Sequence, residues 1–204
     1  MDFLPLNKNG RHVYIGVFRR AGAGIIDTLV LVPFSVAFYY LESLSIGVAI
    51  VLAVVASGLY AGYAVVCHAC FGATVGKGLM HIRVTQPDGA RITWRHAVLR
   101  SSPFLVFALL LAIAQIVALL QVDTAAYSAA SWLERNRHVV PHLPPWHTVV
   151  TVSLNAWIVI ECVVLLLNTR QRAIHDFIAG TVVIHRDFSV PYQDALRAKR
   201  RMPA

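Results

Sequence analysis

Four long apolar runs dominate the sequence, and each contains about twenty residues or more, the length that crosses the hydrocarbon core of a bilayer. Hydrophobic residues make up 57% of the chain, charged residues only 14%, and the mean hydropathy of +0.63 lies outside the range of soluble domains. The chain is therefore expected to be an all-α integral membrane protein. The runs predict a four-helix transmembrane bundle with spans at about residues 21–41, 46–71, 103–122 and 147–168.

Basic residues are distributed unevenly among the segments that connect these runs. The first 20 residues, the polar interval over residues 72–102 and the chain after residue 168 hold 4, 5 and 7 lysines and arginines, against 2 in the remaining loops. The chain is expected to be a multi-pass protein of the cell inner (plasma) membrane. Because positively charged loops stay in the cytoplasm, both termini are expected to be cytoplasmic. The basic residues that flank the apolar runs account for the net charge of +8, because they set the orientation and contact anionic lipid headgroups. Nucleic-acid binding is therefore not expected.

Composition divides the chain into three segments. They are a cytoplasmic leader over residues 1–20, a membrane domain over residues 21–186 and a basic cytoplasmic tail over residues 187–204. The leader lacks a cleavable signal pattern, so the first span is expected to remain as an anchor. Residues 197–202 are expected to be disordered. A short amphipathic helix over residues 94–100, capped by Thr93, is expected to lead into the third span.

Alternating apolar and polar residues in the polar interval predict a small cytoplasmic β-hairpin element. The hairpin would run over residues 80–93 and turn at Pro87-Asp88-Gly89. Residues 181–185 are a candidate third strand. One face of the hairpin would pack on apolar surface, and its members are Ile82, Val84 and Ile92.

Ionisable residues interrupt the apolar runs at a similar depth. Asp27 lies in the first run and Glu161 in the fourth, each about 10 Å from the cytoplasmic end of its span at about 1.5 Å per residue. Charged groups inside a membrane are costly and mark functional sites by default. We therefore expect a polar cluster in the inner leaflet, with a transport or a structural role, formed by Arg20, Asp27, His68 and Glu161.

Two interpretations of Asp27 follow from the residues alone: a proton or cation site, or a structural acceptor for a basic side chain or a helix end. Arg20 is not expected to reach it, because the arginine starts about 10 Å away along the helix axis and leans towards the N-terminus. Glu161 either shares one proton with Asp27 or makes a separate hydrogen bond between helices.

Other residues with chemical potential form no strong motif. Cys67, His68 and Cys70 are ligand-type residues, but a lone group of three at a helix end does not define a metal site. His175 and Asp176 could orient each other, yet no nucleophile motif accompanies them. No metal, no cofactor and no enzymatic activity are therefore expected.

Four blocks of sequence, in the same order, resemble the RDD family of bacterial membrane proteins over about residues 17–186. The blocks are Arg20 with Asp27, residues 73–84, residues 91–100 and residues 172–183. The chain departs from the family pattern at Val75, where the family usually has proline. The resemblance implies a set of family motif residues, namely Arg20, Asp27, Lys77, Arg100, His175 and Asp176.

The resemblance also implies a role in the transport of ions or small solutes, and sodium/proton antiport has been suggested for a few members. The small size of the chain and the lack of an obvious pore keep a second hypothesis open, a non-catalytic accessory or assembly subunit of a larger membrane complex. The expected partners are the lipid bilayer and either further copies of the chain or that larger complex. The sequence indicates neither a substrate nor a coupling ion.

Overall fold

A computed structural model describes residues 3–190, without the side chains of Trp132 and Leu133. It is mostly helical, with four long apolar helices and two small two-stranded sheets. The elements in chain order are β1 (Asn7–Lys8), β2 (Arg11–His12), α1 (Val17–Leu41), α2 (Ile46–Phe71), α3 (Val75–Leu79), β3 (Ile82–Thr85), α4 (Trp94–Leu119), α5 (Thr124–Ala129), α6 (Trp132–Val139), α7 (Trp146–Leu167), α8 (Ile174–Ala179) and β4 (Val182–His185). The expected disorder of residues 197–202 falls outside the described residues.

The four long helices are the candidate membrane spans, by length and composition. Three of the four predicted spans agree closely with α1, α2 and α7; α2 has the predicted bounds, and α1 begins four residues earlier than expected. With four such helices, the chain is a multi-pass membrane protein.

The predicted short helix over residues 94–100 is helical, but it is not separate from the third span, because α4 is one helix, Trp94–Leu119, with Pro103 inside it. Proline has no backbone N–H for the carbonyl four residues earlier, which is that of Leu99. The hydroxyl of Ser102 donates a hydrogen bond of 2.9 Å to this carbonyl. The side chain thus replaces the missing backbone donor and lets the helix continue.

The predicted hairpin also needs correction. β3 forms where its first strand was expected, but it pairs antiparallel with β4, in the register Ile82 to His185 through Thr85 to Val182. Residues 90–93 are not a strand and lead directly into α4. The candidate third strand is therefore the actual partner, because its continuous run of buried β-branched residues supplies a better packing face than the single Ile92.

The leader is more ordered than a polar segment would suggest. β1 pairs with β2, and the next residues lie along the free edge of β4. Ile15 donates its backbone N–H to the Val183 carbonyl at 3.0 Å, and His185 donates to the Val13 carbonyl at 3.0 Å. The start of α1 is thereby fixed to the small sheet.

The chain divides into two compact units, and each has its own buried core. Within the described residues, the first unit comprises residues 3–30, Tyr63–Ser102 and residues 159–190, and the second comprises Leu31–Gly62 and Pro103–Ile158. The core of the first unit includes the predicted apolar face of the hairpin segment, Ile82, Val84 and Ile92, together with Ile15 and Val183. The core of the second unit is formed by Ala49, Ala118, Leu119, Val122, Tyr127 and Val139.

Candidate functional site

Ionisable side chains from all four long helices lie in the first unit, together with three from the segments that follow α2 and α7. They form what we call the buried polar cluster, whose members are Arg20, Asp27, His68, Lys77, Arg100, Glu161, His175 and Asp176. Four separate contacts organise it.

The first contact holds Asp27, of which only 2% is exposed. Its Oδ1 accepts hydrogen bonds from the Tyr63 hydroxyl and the Gly76 backbone N–H, both at 2.8 Å, and its Oδ2 accepts one from the Thr74 hydroxyl at 2.6 Å. The Tyr63 hydroxyl in turn accepts from the Val75 N–H at 2.9 Å. Asp27 and Tyr63 thus take up backbone donors at the start of α3, which a short helix cannot satisfy internally.

Close backbone approach fixes α3 against α1 at the same place. A Cβ atom on Gly76 would overlap the carbonyl oxygen of Ala23 and approach the Asp27 carboxyl carbon to 3.0 Å. Only glycine therefore fits between the two helices at this position. This arrangement supports the structural interpretation of Asp27, in which the carboxylate accepts from a helix end.

The second contact is a buried ion triad around Asp176, which is 0% exposed. Its Oδ2 lies 2.6 Å from Arg20 Nη1, and its Oδ1 pairs with Arg100 Nη1. Arg20 also donates to the carbonyls of Ile15 and Gln171, so its other nitrogens are occupied. The triad joins the beginnings of α1 and α4 to α8.

Electrostatics keeps Asp176 ionised in this site. Burial alone would raise the pKa of its carboxyl group, but the guanidinium groups of Arg100 and Arg20 outweigh burial and hold the pKa well below its usual range. A buried charge that loses one partner is left uncompensated, which typically costs about 3–5 kcal/mol. The triad is therefore a strong constraint on the folded state.

The third contact joins Glu161 of α7 to His175 of α8. Glu161 Oε1 lies 2.6 Å from His175 Nδ1 and 3.2 Å from the His175 backbone nitrogen. Burial lowers the pKa of His175 and Arg100 lowers it further, against the opposing effect of Asp176 and Glu161. The imidazole is therefore neutral at pH 7 and donates its Nδ1–H to the carboxylate.

The fourth contact brings two basic side chains together. Lys77 Nζ lies 2.8 Å from His68 Nε2, and His68 is only 3% exposed. Within residues 3–190, His68 Nδ1 is buried without a hydrogen-bond partner. The pKa of Lys77 is lowered to about 7, and burial is the largest cause. The guanidinium groups of Arg100 and Arg20 lower it further, whereas the carboxylates of Asp176 and Asp27 oppose the shift. Two positive charges at this distance would repel each other, so one proton on the pair is favoured over two.

The buried polar cluster is balanced in formal charge. Arg20, Lys77 and Arg100 are its cations and Asp27, Glu161 and Asp176 are its carboxylates, so the total is zero when both histidines are neutral. Loss of the Lys77 proton would leave one net negative charge on the cluster.

The four residues predicted from sequence to form a polar cluster all lie in it, but each contacts a different partner. Arg20 pairs with Asp176. Its position on the helix had predicted only that it would not reach Asp27. No hydrogen bond or ion pair joins Asp27 to Glu161 in the described part of the chain, so the hypothesis of a shared proton gains no support. Among residues 3–190, no group of three or more His, Cys, Asp and Glu side chains could hold a metal ion.

Sequence reasoning missed Tyr63 and Thr74, which supply two of the three donors to Asp27. The sequence contained a helix-capping signal for one of them, Thr74. Thr74 stands just before a short turn of helix, where threonine commonly acts as an N-cap, and its hydroxyl accepts from the Lys77 N–H at 3.4 Å. Tyr63 carries no such signal, because a tyrosine within an apolar run is ordinarily a packing residue.

Comparison with known proteins identifies the family of the chain. No curated protein and no solved structure matches the chain significantly. The model of the RDD family matches residues 14–180, which include all eight members of the buried polar cluster. The chain therefore belongs to the RDD family.

Proposed function

We propose that the chain takes part in the transport of ions or small solutes across the membrane, with Lys77 and His68 as the group that takes up and releases a proton. The observation that carries this proposal is the 2.8 Å contact between the two basic side chains within a charge-balanced cluster. Every one of the four long helices contributes an ionisable side chain to that cluster. Such residues are costly in a membrane and are typical of ion and proton pathways.

The chemistry of the pair suits exchange. With the proton bound, the Lys77 ammonium donates to His68 Nε2; after its release, the imidazole takes the Nε2–H tautomer and donates to the neutral amine. A lysine pKa of about 7 places uptake and release of the proton in the physiological range. When the proton leaves, the remaining negative charge on the cluster can be balanced by an incoming cation. The proposal needs no catalytic nucleophile, and the chain is accordingly proposed not to be an enzyme.

The proposed location is the cell inner membrane with both termini in the cytoplasm. The support is the distribution of 16 lysines and arginines on one side of the predicted spans against 2 on the other. In this orientation the buried polar cluster lies towards the cytoplasmic ends of the helices.

A flux measurement in proteoliposomes tests the proposal. Purified protein is reconstituted with an internal pH-sensitive dye, and a Na⁺ or K⁺ gradient is imposed. The wild-type chain is expected to change the internal pH, whereas Lys77→Arg is expected to lose this response, because arginine stays protonated and cannot release the proton. Lys8→Arg makes the same change in β1, outside the buried polar cluster. It is the matched control and should behave as wild type. Unchanged flux in Lys77→Arg would overturn the assignment of the proton site.

A second function is favoured by a different observation. The oxygens of Asp27 and Asp176 are occupied by donors from the chain itself, as expected for a cluster that only fixes the fold. This supports a non-catalytic accessory or assembly subunit of a larger membrane complex. Purification from native membranes distinguishes the two functions: a stoichiometric unrelated partner supports the subunit, and an assembly of this chain alone supports transport.

A further inference from the structure

A pocket of about 350 Å³ opens in the first unit beside the C-terminal end of α2. Its lining includes the apolar side chains of Cys67, Phe71 and Val75, of which Phe71 is 67% exposed. The lining also includes Arg83 and Arg186. An apolar groove with two guanidinium groups is thus built from neighbouring segments of the chain.

The two arginines belong to the paired strands β3 and β4 or directly follow them. Arg83 lies on β3, and Arg186 follows β4 and donates its backbone N–H to the His81 carbonyl at 2.9 Å. The Arg83 side chain lies over Gly72, where an added Cβ would come within 2.9 Å of Arg83 Nε. The absence of a side chain at Gly72, whose φ is +72°, therefore leaves room for the guanidinium beside the end of α2.

The charge on Arg83 is not compensated by an acid within the described residues. No carboxylate forms an ion pair with it in residues 3–190. Burial lowers the pKa of Arg83, and the neighbouring guanidinium groups of Arg91 and Arg186 lower it further. An anion placed between Arg83 and Arg186 would relieve this repulsion.

The position of the pocket along α2 indicates the kind of anion. The helix has 26 residues and is therefore about 39 Å long, which exceeds the hydrocarbon core of about 30 Å. Its last turn, with Cys67 and Phe71, thus lies near the headgroup region. A free anion in water would not need the adjoining apolar wall, whereas a phospholipid presents a phosphate and an acyl chain together.

We propose that this pocket binds an anionic phospholipid, with the phosphate between Arg83 and Arg186 and an acyl chain along Phe71 and Val75. Guanidinium groups suit this role because they offer paired N–H donors to phosphate oxygens. The site is separate from the proposed proton-sharing pair and does not depend on transport.

Native mass spectrometry of the full chain in detergent tests the site, with phosphatidylglycerol as the probe and phosphatidylcholine as the neutral lipid. The wild-type chain is expected to retain phosphatidylglycerol in preference to phosphatidylcholine. Arg83→Gln and Arg186→Gln should each weaken that binding by about tenfold, because one charge-assisted contact is lost. Arg95→Gln removes the same charge from an exposed position that does not line the pocket and should leave binding unchanged.

Three results would overturn the proposal. The first is equal loss of phosphatidylglycerol in all three variants, which would mean attraction by total charge alone. The second is unchanged binding in both pocket variants; if Arg83→Gln does not accumulate, Arg186→Gln decides this point. The third is displacement of the lipid by inorganic phosphate together with tight phosphate binding to the lipid-free chain, which would assign the pocket to a free anion.

Discussion

The hydroxyl of Thr74 donates a hydrogen bond to Asp27 at 2.6 Å, across 47 positions of sequence. Thr74 also precedes α3 as its N-cap, so one side chain both begins the short helix and attaches it to α1. Lys77 lies one turn further along the same helix. The position of the lysine that contacts His68 is therefore set by the carboxylate of Asp27.

The substitution Asp27→Asn is expected to destabilise the chain by about 1–3 kcal/mol. The carboxylate accepts hydrogen bonds from three donors, and the NH₂ group of asparagine would face one of them, donor against donor. Thermal unfolding in nanodiscs, with Asp88→Asn at an exposed turn as control, measures the effect. A variant that is as stable as wild type but lacks ion flux would instead identify Asp27 as a transport carboxylate.

Two glycines of α3 provide a matched pair for the helix contact. Gly76→Ala should prevent accumulation or lower the melting temperature strongly, because the new Cβ would overlap the Ala23 carbonyl oxygen. Gly78→Ala has open space around its Cβ and should be neutral or slightly stabilising, since alanine favours helix. Similar melting temperatures for the two variants would contradict the close approach of α3 to α1.

The ion triad predicts a large effect at Arg100 and a small one at Arg95, although both lie in α4. Arg100→Met leaves Asp176 with one guanidinium partner in a buried site and should cost about 3–5 kcal/mol. Arg95→Met changes an exposed residue and should stay within about 0.5 kcal/mol of wild type. Unfolding in lipid nanodiscs compares them, and equal stability would mean that the buried pair does not constrain the fold.

The sequence was sufficient for the four long helices because lipid imposes a simple rule on them: a helix must be long and apolar to span a bilayer. It was insufficient for the strand partner of β3. Local alternation favoured a hairpin through Pro87-Asp88-Gly89, but pairing depends on the buried surface that a distant strand can offer, and β4 lies about a hundred residues away.

The same limit applies to the candidate site. Sequence identified Asp27, Glu161 and His68 because charged or polar groups stand out in apolar runs. Their partners were not accessible, since hydrogen bonds such as Asp27 to Tyr63 and His68 to Lys77 depend on the relative rotation of helix ends. Helical periodicity describes one helix and contains no information on that rotation.

The proposed orientation can be tested with single cysteines. In a background without Cys67, Cys70 and Cys162, a cysteine at position 137 should react with a membrane-impermeant reagent in intact cells. A cysteine at position 83 should react only after the membrane is opened. Labelling of position 83 from outside would reverse the orientation.

The shared proton of Lys77 and His68 is tested most directly by the titration of Lys77 itself. The chain has three lysines, so isotope-labelled lysine gives few signals, and the signal missing in Lys77→Arg assigns the one of interest. Nuclear magnetic resonance of the chain in nanodiscs is expected to show Lys77 titrating with a pKa of about 7. A Lys77 signal that titrates at about 10.4, the ordinary pKa of a lysine side chain, would contradict the proton-sharing pair.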